Sequence, residues 1–292
     1  MADSLKNTTE QQQPTYTEAN IHHMLSSEIG QQFAFVVVED VDDKSTYEKF
    51  ITDTNVHVMI SKGEDGTCGY KNVENIVTNI RRDKKTERIC GIRDSDYTRY
   101  LDYEYRVPDA VFLTDQRDLE MMLLATTSVQ VGLFKWNNEI KSLLPLVYRD
   151  GRQMGYLRIC NDVCELGCNF KKKVKLSKVW DANNHQLEDD WENKLHNLFV
   201  TYCSNICSPH YPYSTDKLTA FIERKQLYNE PDYYICQGHD VVWLLYNSLS
   251  KNNFDIRIIT KKIIENFSYE DFSKTQLFVN IKGWANNIGI SI

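Results

Sequence analysis

The sequence predicts an α/β protein, a parallel sheet flanked by helices and followed by a mainly helical C-terminal region. Three observations predict it. Strand-like apolar runs alternate with helical stripes between residues 32 and 125. Those runs are short, continuous and rich in β-branched residues, as strands buried on both faces are. Gly and Pro are scarce, at 12 and 6 of 292 residues, which argues against a loop-rich or all-β design.

The elements follow in order. A short helix is expected at 18–29, after a polar N-terminal tail with no apolar leader segment. "QFAFVVVE" (32–39) reads as a buried strand that ends in an acidic cluster, Glu39, Asp40, Asp42 and Asp43. Tyr47, Phe50 and Ile51 then recur at helical spacing, with Asp42 or Asp43 placed as the helix N-cap. "HVMIS" (57–61) is a second strand and is followed by a glycine-bearing loop. Val73, Ile76, Val77 and Ile80 form an i, i+3, i+4, i+7 stripe, so a helix comes next. "ERICGIRDSD" (87–96) is a third strand, again closed by acids, and "AVFLT" (110–114) a fourth. "DQRDLEMMLLA" is a helix expected to start at Thr114 or Asp115. Such alternation implies parallel strands with helices on both faces.

Beyond residue 150 the pattern changes. "QMGYLRIC" (153–160) and "GCNFKKKVKL" (167–176) read as two more strands. Past Asp181 the chain is helical, with one stripe through Trp191, Leu195, Leu198, Phe199 and Tyr202. A second stripe begins at Leu218, Phe221 and Ile222, and a third helix covers 239–249 with Asp240 as its N-cap. The expected organisation is a tail and short helix over 1–29, a sheet domain with a strand extension over 30–180, and a helical region over 181–292.

Composition excludes some classes. The longest apolar runs are far too short to span a bilayer, so a cytoplasmic protein without membrane contact is expected. The net charge of −7 gives no global case for nucleic-acid binding, although a local patch could supply one. Cys160, Cys164 and Cys168 lie four apart, the spacing of one helix face rather than of a zinc knuckle.

The chemistry concentrates at strand ends. In a parallel sheet, ligands bind at the carboxyl ends of the strands. Glu39 and the pair Asp94/Asp96 both occupy such ends. Residues two apart on an extended segment point to one side, so Asp94 and Asp96 are expected to face one spot. Three carboxylates there suit Mg²⁺ or Mn²⁺, which take hard oxygen ligands and leave room for phosphate oxygens. The plainer reading of each acid is a helix cap.

These motifs resemble the TOPRIM domain of topoisomerases, bacterial primases and OLD-type nucleases. "FVVVED" supplies the Glu after the first strand, and "GIRDSD" supplies the D-x-D after the third. "TDQRDLEMMLL", "MGYLRIC", "NFKKKVKLSK" and "CQGHDVVWLL" follow in the order seen in a TOPRIM-like family that includes the nuclease subunit of the PARIS anti-phage system. The resemblance runs over about residues 30 to 290. Members often carry Gly directly after the strand Glu; this chain has Asp40.

The resemblance implies a Mg²⁺-dependent nuclease with Glu39, Asp94 and Asp96 as catalytic and metal-binding residues. Glu120 matches a further acidic position, either a metal ligand or a solvated acid in a helix's first turn. Asp43 either caps a helix or approaches the metal, and Lys62 either contacts phosphate or is an exposed loop residue. His239 matches a family motif and is a candidate substrate contact. Lys171, Lys172, Lys173, Lys175 and Lys178 form the best candidate for a nucleic-acid backbone patch, with a lysine-protected edge strand as the alternative. The family further implies a toxic antiviral effector, dimeric when active, that cleaves tRNA and is restrained by an ABC/SMC-like ATPase. No G-x4-G-K-[ST] sequence is present, in keeping with an ATPase on another chain. The rival readings are an OLD-like DNA nuclease and a non-catalytic interaction module.

Overall fold

A computed structural model describes residues 16–63, 66–170, 172–206, 213–249 and 254–292. The expected polar tail falls outside them. The chain divides into two compact units. One comprises the residues up to Ile92, Pro108–Val111 and Ile288–Ile292; the other comprises Arg93–Val107 and Phe112–Asn287.

The first unit is built on α1 (Tyr16–Leu25), β1 (Ala34–Val38), α2 (Val41–Tyr47), β2 (Val56–Ile60) and α3 (Tyr70–Lys84). β3 (Ile89–Arg93) and β4 (Val111–Leu113) complete a four-stranded parallel sheet in the order β2-β1-β3-β4. β1 is central. Val36 aligns with Val58 on one side and with Cys90 on the other, and all five of its residues are buried. That explains the unbroken valine run, since a strand covered on both faces has no solvent side to alternate with.

Val73, Ile76, Val77 and Ile80 of α3 are fully buried, as their stripe predicts. A fully buried aliphatic side chain contributes about 1.5–3 kcal/mol, so this stripe anchors the helix. Gly91 makes the approach possible, because a Cβ there would lie 2.6 Å from Val73 Cγ1 and 3.1 Å from Val77 Cγ2.

The second unit is mainly helical, which agrees with the helical C-terminal region expected. It holds α4 (Leu119–Leu124), α5 (Thr127–Trp136), α6 (Ile140–Val163), a two-stranded ribbon of β5 (Trp180–Asp181) and β6 (Gln186–Leu187), α7 (Trp191–Ile206), α8 (Thr215–Arg224), α9 (Asp232–Ile235), α10 (Gly238–Ser248), α11 (Arg257–Asn266), α12 (Tyr269–Phe272) and α13 (Gln276–Asn287). α6 is the longest helix and packs against α5, α7, α8, α9 and α10. Among the described residues no helix is long and apolar enough to cross a membrane.

Several expectations need correction. "QMGYLRIC" is the second half of α6, not a strand. Met154 through Leu157, with Ile159 and Cys160, are all buried, so neighbours cover this stretch on most sides and erase the helical period. "GCNFKKKVKL" is not a strand either; it is a turn leading to a 3-10 turn at Leu176–Lys178. The first helix stops at Leu25 rather than 29.

The helix after β4 starts at Leu119, capped by Asp118, not at Thr114 or Asp115. Thr114 is held earlier in the turn, where its Oγ1 accepts the Ser95 amide and donates to the Gln116 carbonyl. Asp115 instead accepts the first two amides of α13, from Gln276 at 2.7 Å and Leu277 at 2.8 Å.

Candidate functional site

The turn after β1 begins with Glu39, which is half-buried; its carbonyl accepts the Ser61 hydroxyl at 3.2 Å. Asp40, not Asp42 or Asp43, is the N-cap of α2. Its Oδ1 accepts the amides of Asp42 at 2.9 Å and Asp43 at 3.3 Å. Asp43 Oδ2 accepts the Asp40 amide in return, at 3.1 Å. This reciprocal pair is a capping box with Asp at both positions. The helix therefore starts two residues earlier than its apolar spacing suggests. Asp40 has φ −143°, an extended value open to any residue, so no glycine is needed there. Lys62, after β2, is an exposed loop residue whose backbone pairs with Thr17.

The turn after β3 lies in the other unit and is built differently. β3 ends at Arg93, so Asp94 and Asp96 do not share an extended segment. Asp96 is in the left-handed region, φ +47°. The expectation that two-residue spacing on a strand aligns the pair is therefore overturned. Both carboxylates nevertheless reach one segment, Arg117–Leu119. Asp94 Oδ1 accepts the Leu119 amide at 3.1 Å, and Asp96 Oδ1 lies 3.2 Å from Arg117 Nη2. The Asp96 amide also donates to the Arg117 carbonyl at 2.8 Å. Arg93 Nη1 lies 4.0 Å from Asp96 Oδ2 and donates to the Asp94 carbonyl at 3.1 Å.

Arg93 and Arg117 are both buried. Burial opposes the Arg117 charge, yet Tyr97, Asp118, Asp96 and Asp94 together raise its pKa well above the usual value. The Arg117 guanidinium sits 4.7 Å over the Tyr97 ring. Asp96 is raised above the ordinary carboxylate range, because burial outweighs the pull of Arg117 and Arg93.

Asp118 is the pivot of this cluster. It pairs with Arg117, caps α4 through the Met121 amide at 2.9 Å, and accepts the Gly238 amide at 2.8 Å. Gly238 opens α10 and admits no side chain: a Cβ would lie 2.5 Å from Glu120 Cβ and 2.8 Å from Asp118 Oδ1. Glu120 is buried on α4, and its Oε1 lies 3.1 Å from His239 Nδ1. His239 itself is exposed. Glu120 is thus neither a solvated acid nor isolated. Asp240 does not cap α10, whose N-cap is Gln237. It binds Arg158 through two hydrogen bonds, of 3.0 and 3.2 Å.

The lysine patch is not a strand. Lys172, Lys173, Lys175 and Lys178 are exposed, while Val174 and Leu176 are buried between them. Lys171 lies outside the described residues.

Arg93, Arg117, Asp118, Arg158 and Asp240 do more here than the sequence reading assigned them. All but Arg158 stand in "GIRDSD", "DQRDLE" and "GHD", next to or near the candidates Asp94, Glu120 and His239. Among the described residues no group of three or more His, Cys, Asp and Glu side chains is arranged to hold a metal ion. The cluster around Arg93 and Arg117 does carry a charge surplus. Asp94, Asp96, Asp118 and Glu120 are four carboxylates against the two guanidiniums of Arg93 and Arg117. Hard oxygen donors with excess negative charge are the donor chemistry that Mg²⁺ and Mn²⁺ require.

No protein-family model and no curated protein sequence matches the chain.

Proposed function

We propose that the chain is a divalent-metal-dependent phosphodiesterase of TOPRIM type, a nuclease acting as the toxic effector of an anti-phage defence system. The observation that carries this reading is the sheet order. β1 and β3 are neighbours, aligned Val37 to Gly91, so the acid after β1 and the D-x-D after β3 leave adjacent strands at their carboxyl ends. Parallel sheets bind ligands at such ends.

Asp94 and Asp96 would hold Mg²⁺ or Mn²⁺, with Glu39 as a further ligand or as the general base. When bound, such an ion supplies Lewis acidity toward the scissile phosphate and acidifies an attacking water. Arg93 and Arg117 are fixed cations beside these acids, suited to the charge that grows on a phosphate in the transition state. Glu120 Oε1, 3.1 Å from His239 Nδ1, would orient the imidazole. Lys172, Lys173 and Lys175 offer exposed charge to a nucleic-acid backbone.

tRNA is the favoured substrate and DNA the alternative. Control by an ABC/SMC-like ATPase on a separate chain, and dimerisation on release, complete the proposal. A second reading, a non-catalytic interaction module, is favoured by the ion pair that already engages Asp96.

Incubating purified protein and its Glu39→Ala variant with total tRNA or supercoiled plasmid, in Mg²⁺ or in EDTA, separates these readings. Cleavage by wild type alone, and in Mg²⁺ alone, is expected. Unchanged cleavage or toxicity in Glu39→Ala would overturn the catalytic assignment. Activity that survives EDTA would remove the metal.

A further inference from the structure

A cavity of about 380 Å³ in the second unit opens beside His239 and Asp240. Its volume lies within the range of small-molecule sites. Its walls combine an indole, a cation and a buried hydrogen-bond acceptor. Trp243 is half-buried, and Trp180 packs edge-on against it, ring centroids 5.3 Å apart at 77°. That contact fixes the plane of the indole. Phe170 closes another side, with the Arg158 guanidinium 4.6 Å over its ring. Asp240 neutralises Arg158, so the cavity wall carries a planar, charge-balanced pair. Lys175 stands exposed at the same cavity.

Gln237 Oε1 decides the ligand. The half-buried Gln237 side chain lines this cavity, and its Oε1 is buried with no hydrogen-bond partner among the described residues. A buried acceptor left without a donor costs about 1–3 kcal/mol, so a ligand that brings an N–H recovers that energy.

We infer that this cavity is a nucleobase pocket, which takes one unstacked nucleotide and holds it next to the Glu120–His239 pair. The base stacks on Trp243, an N–H on its edge donates to Gln237, and Lys175 meets its phosphate. Proteins read unstacked bases by this combination of aromatic stacking and edge hydrogen bonding. The inference rests on the nucleic-acid reading above and names the substrate element that such an enzyme would select. Adenine, cytosine and guanine offer an exocyclic amine to Gln237, and uracil and thymine offer their N3–H.

The test is calorimetric titration of the full chain in EDTA with AMP, CMP, UMP, dAMP and inorganic phosphate. Saturable binding of AMP, CMP and UMP, each about tenfold or more tighter than inorganic phosphate, is expected. Trp243→Ala should weaken AMP by about tenfold, the scale of one base–aromatic stack, while Trp243→Phe should retain most of it. Gln237→Leu should weaken AMP, CMP and UMP alike by about tenfold, the scale of one lost hydrogen bond. Lys175→Ala, at an exposed site that folding does not need, should weaken all nucleotides alike.

Preference for AMP over dAMP would assign the nucleotide to RNA, whereas equal binding would assign it to either nucleic acid; both retain the pocket. Inorganic phosphate binding as tightly as AMP, or no saturable nucleotide binding up to about 10 mM, would overturn it. So would AMP binding that is unaltered in both Trp243→Ala and Lys175→Ala. No metal takes part, so failure here leaves the Glu39→Ala result intact, and the reverse also holds.

Discussion

The turns after β1 and β3 look alike in sequence, since each closes a buried strand with several acids. They solve different problems. After β1, Asp40 and Asp43 satisfy backbone amides at the start of α2. After β3, Asp96 meets a buried guanidinium and Asp94 reaches an amide 25 residues on. The capping box of the first is local, its hydrogen bonds joining residues two or three apart. The other exists only when α4 and α10 are in place. An acidic strand end therefore says little until its partners are known, and those partners need not be metal ions.

Four experiments would break or sharpen this contrast. Arg117→Ala should have the largest effect, because it leaves Asp118 and Asp96 without their main counter-charge. Breaking a buried pair from one side costs about 3–5 kcal/mol, read as a lower urea midpoint; a loss under 1 kcal/mol, about the value of an exposed pair, would show that the β3 turn is no more tightly built than the β1 turn. Gly238→Ala should cost about 1–3 kcal/mol through overcrowding against Glu120, and wild-type stability there would contradict the close approach of α10 to α4. Asp40→Ala should cost about 1 kcal/mol, the usual value of an N-cap, with Asp42→Ala within about 0.5 kcal/mol of wild type. Equal losses at the two positions would dissolve the capping box.

The smallest effect is a pH slope. The Asp96 pKa is raised in the folded state. Its contribution to stability is therefore fully present below the unfolded value of about 3.9 and is lost as pH rises through the folded value. Wild type should lose stability relative to Asp96→Asn as pH rises from about 4 toward neutrality. Chemical denaturation of both proteins in EDTA at several pH values checks this, and a constant difference would count against it.

The pattern of legibility follows the same contrast. β1, β3 and the α3 stripe could be read from sequence, because burial imposes a period or an unbroken apolar run. α6 was misread because too many of its faces are covered: from Met154 to Cys160 every residue but Arg158 is buried. The cap of α2 was misplaced because Asp40 follows a strand Glu, a position where glycine was the expectation. Asp94 and Asp96 were found as candidates, whereas Arg117, Asp118 and Gly238 were not assigned roles. Their partners lie 21 and 120 positions away, so the flanking charges mark these residues without showing what they bind.

Asp118 and Gly238 have a consequence for synthesis. Their hydrogen bond joins residues 120 positions apart. At translation rates of about 5–20 residues per second, Asp118 leaves the ribosome seconds before the amide that completes its coordination. Until α10 emerges, Asp118 lacks that partner and Glu120 lacks His239. A chain that stops short of residue 238 therefore carries an unfinished acid cluster.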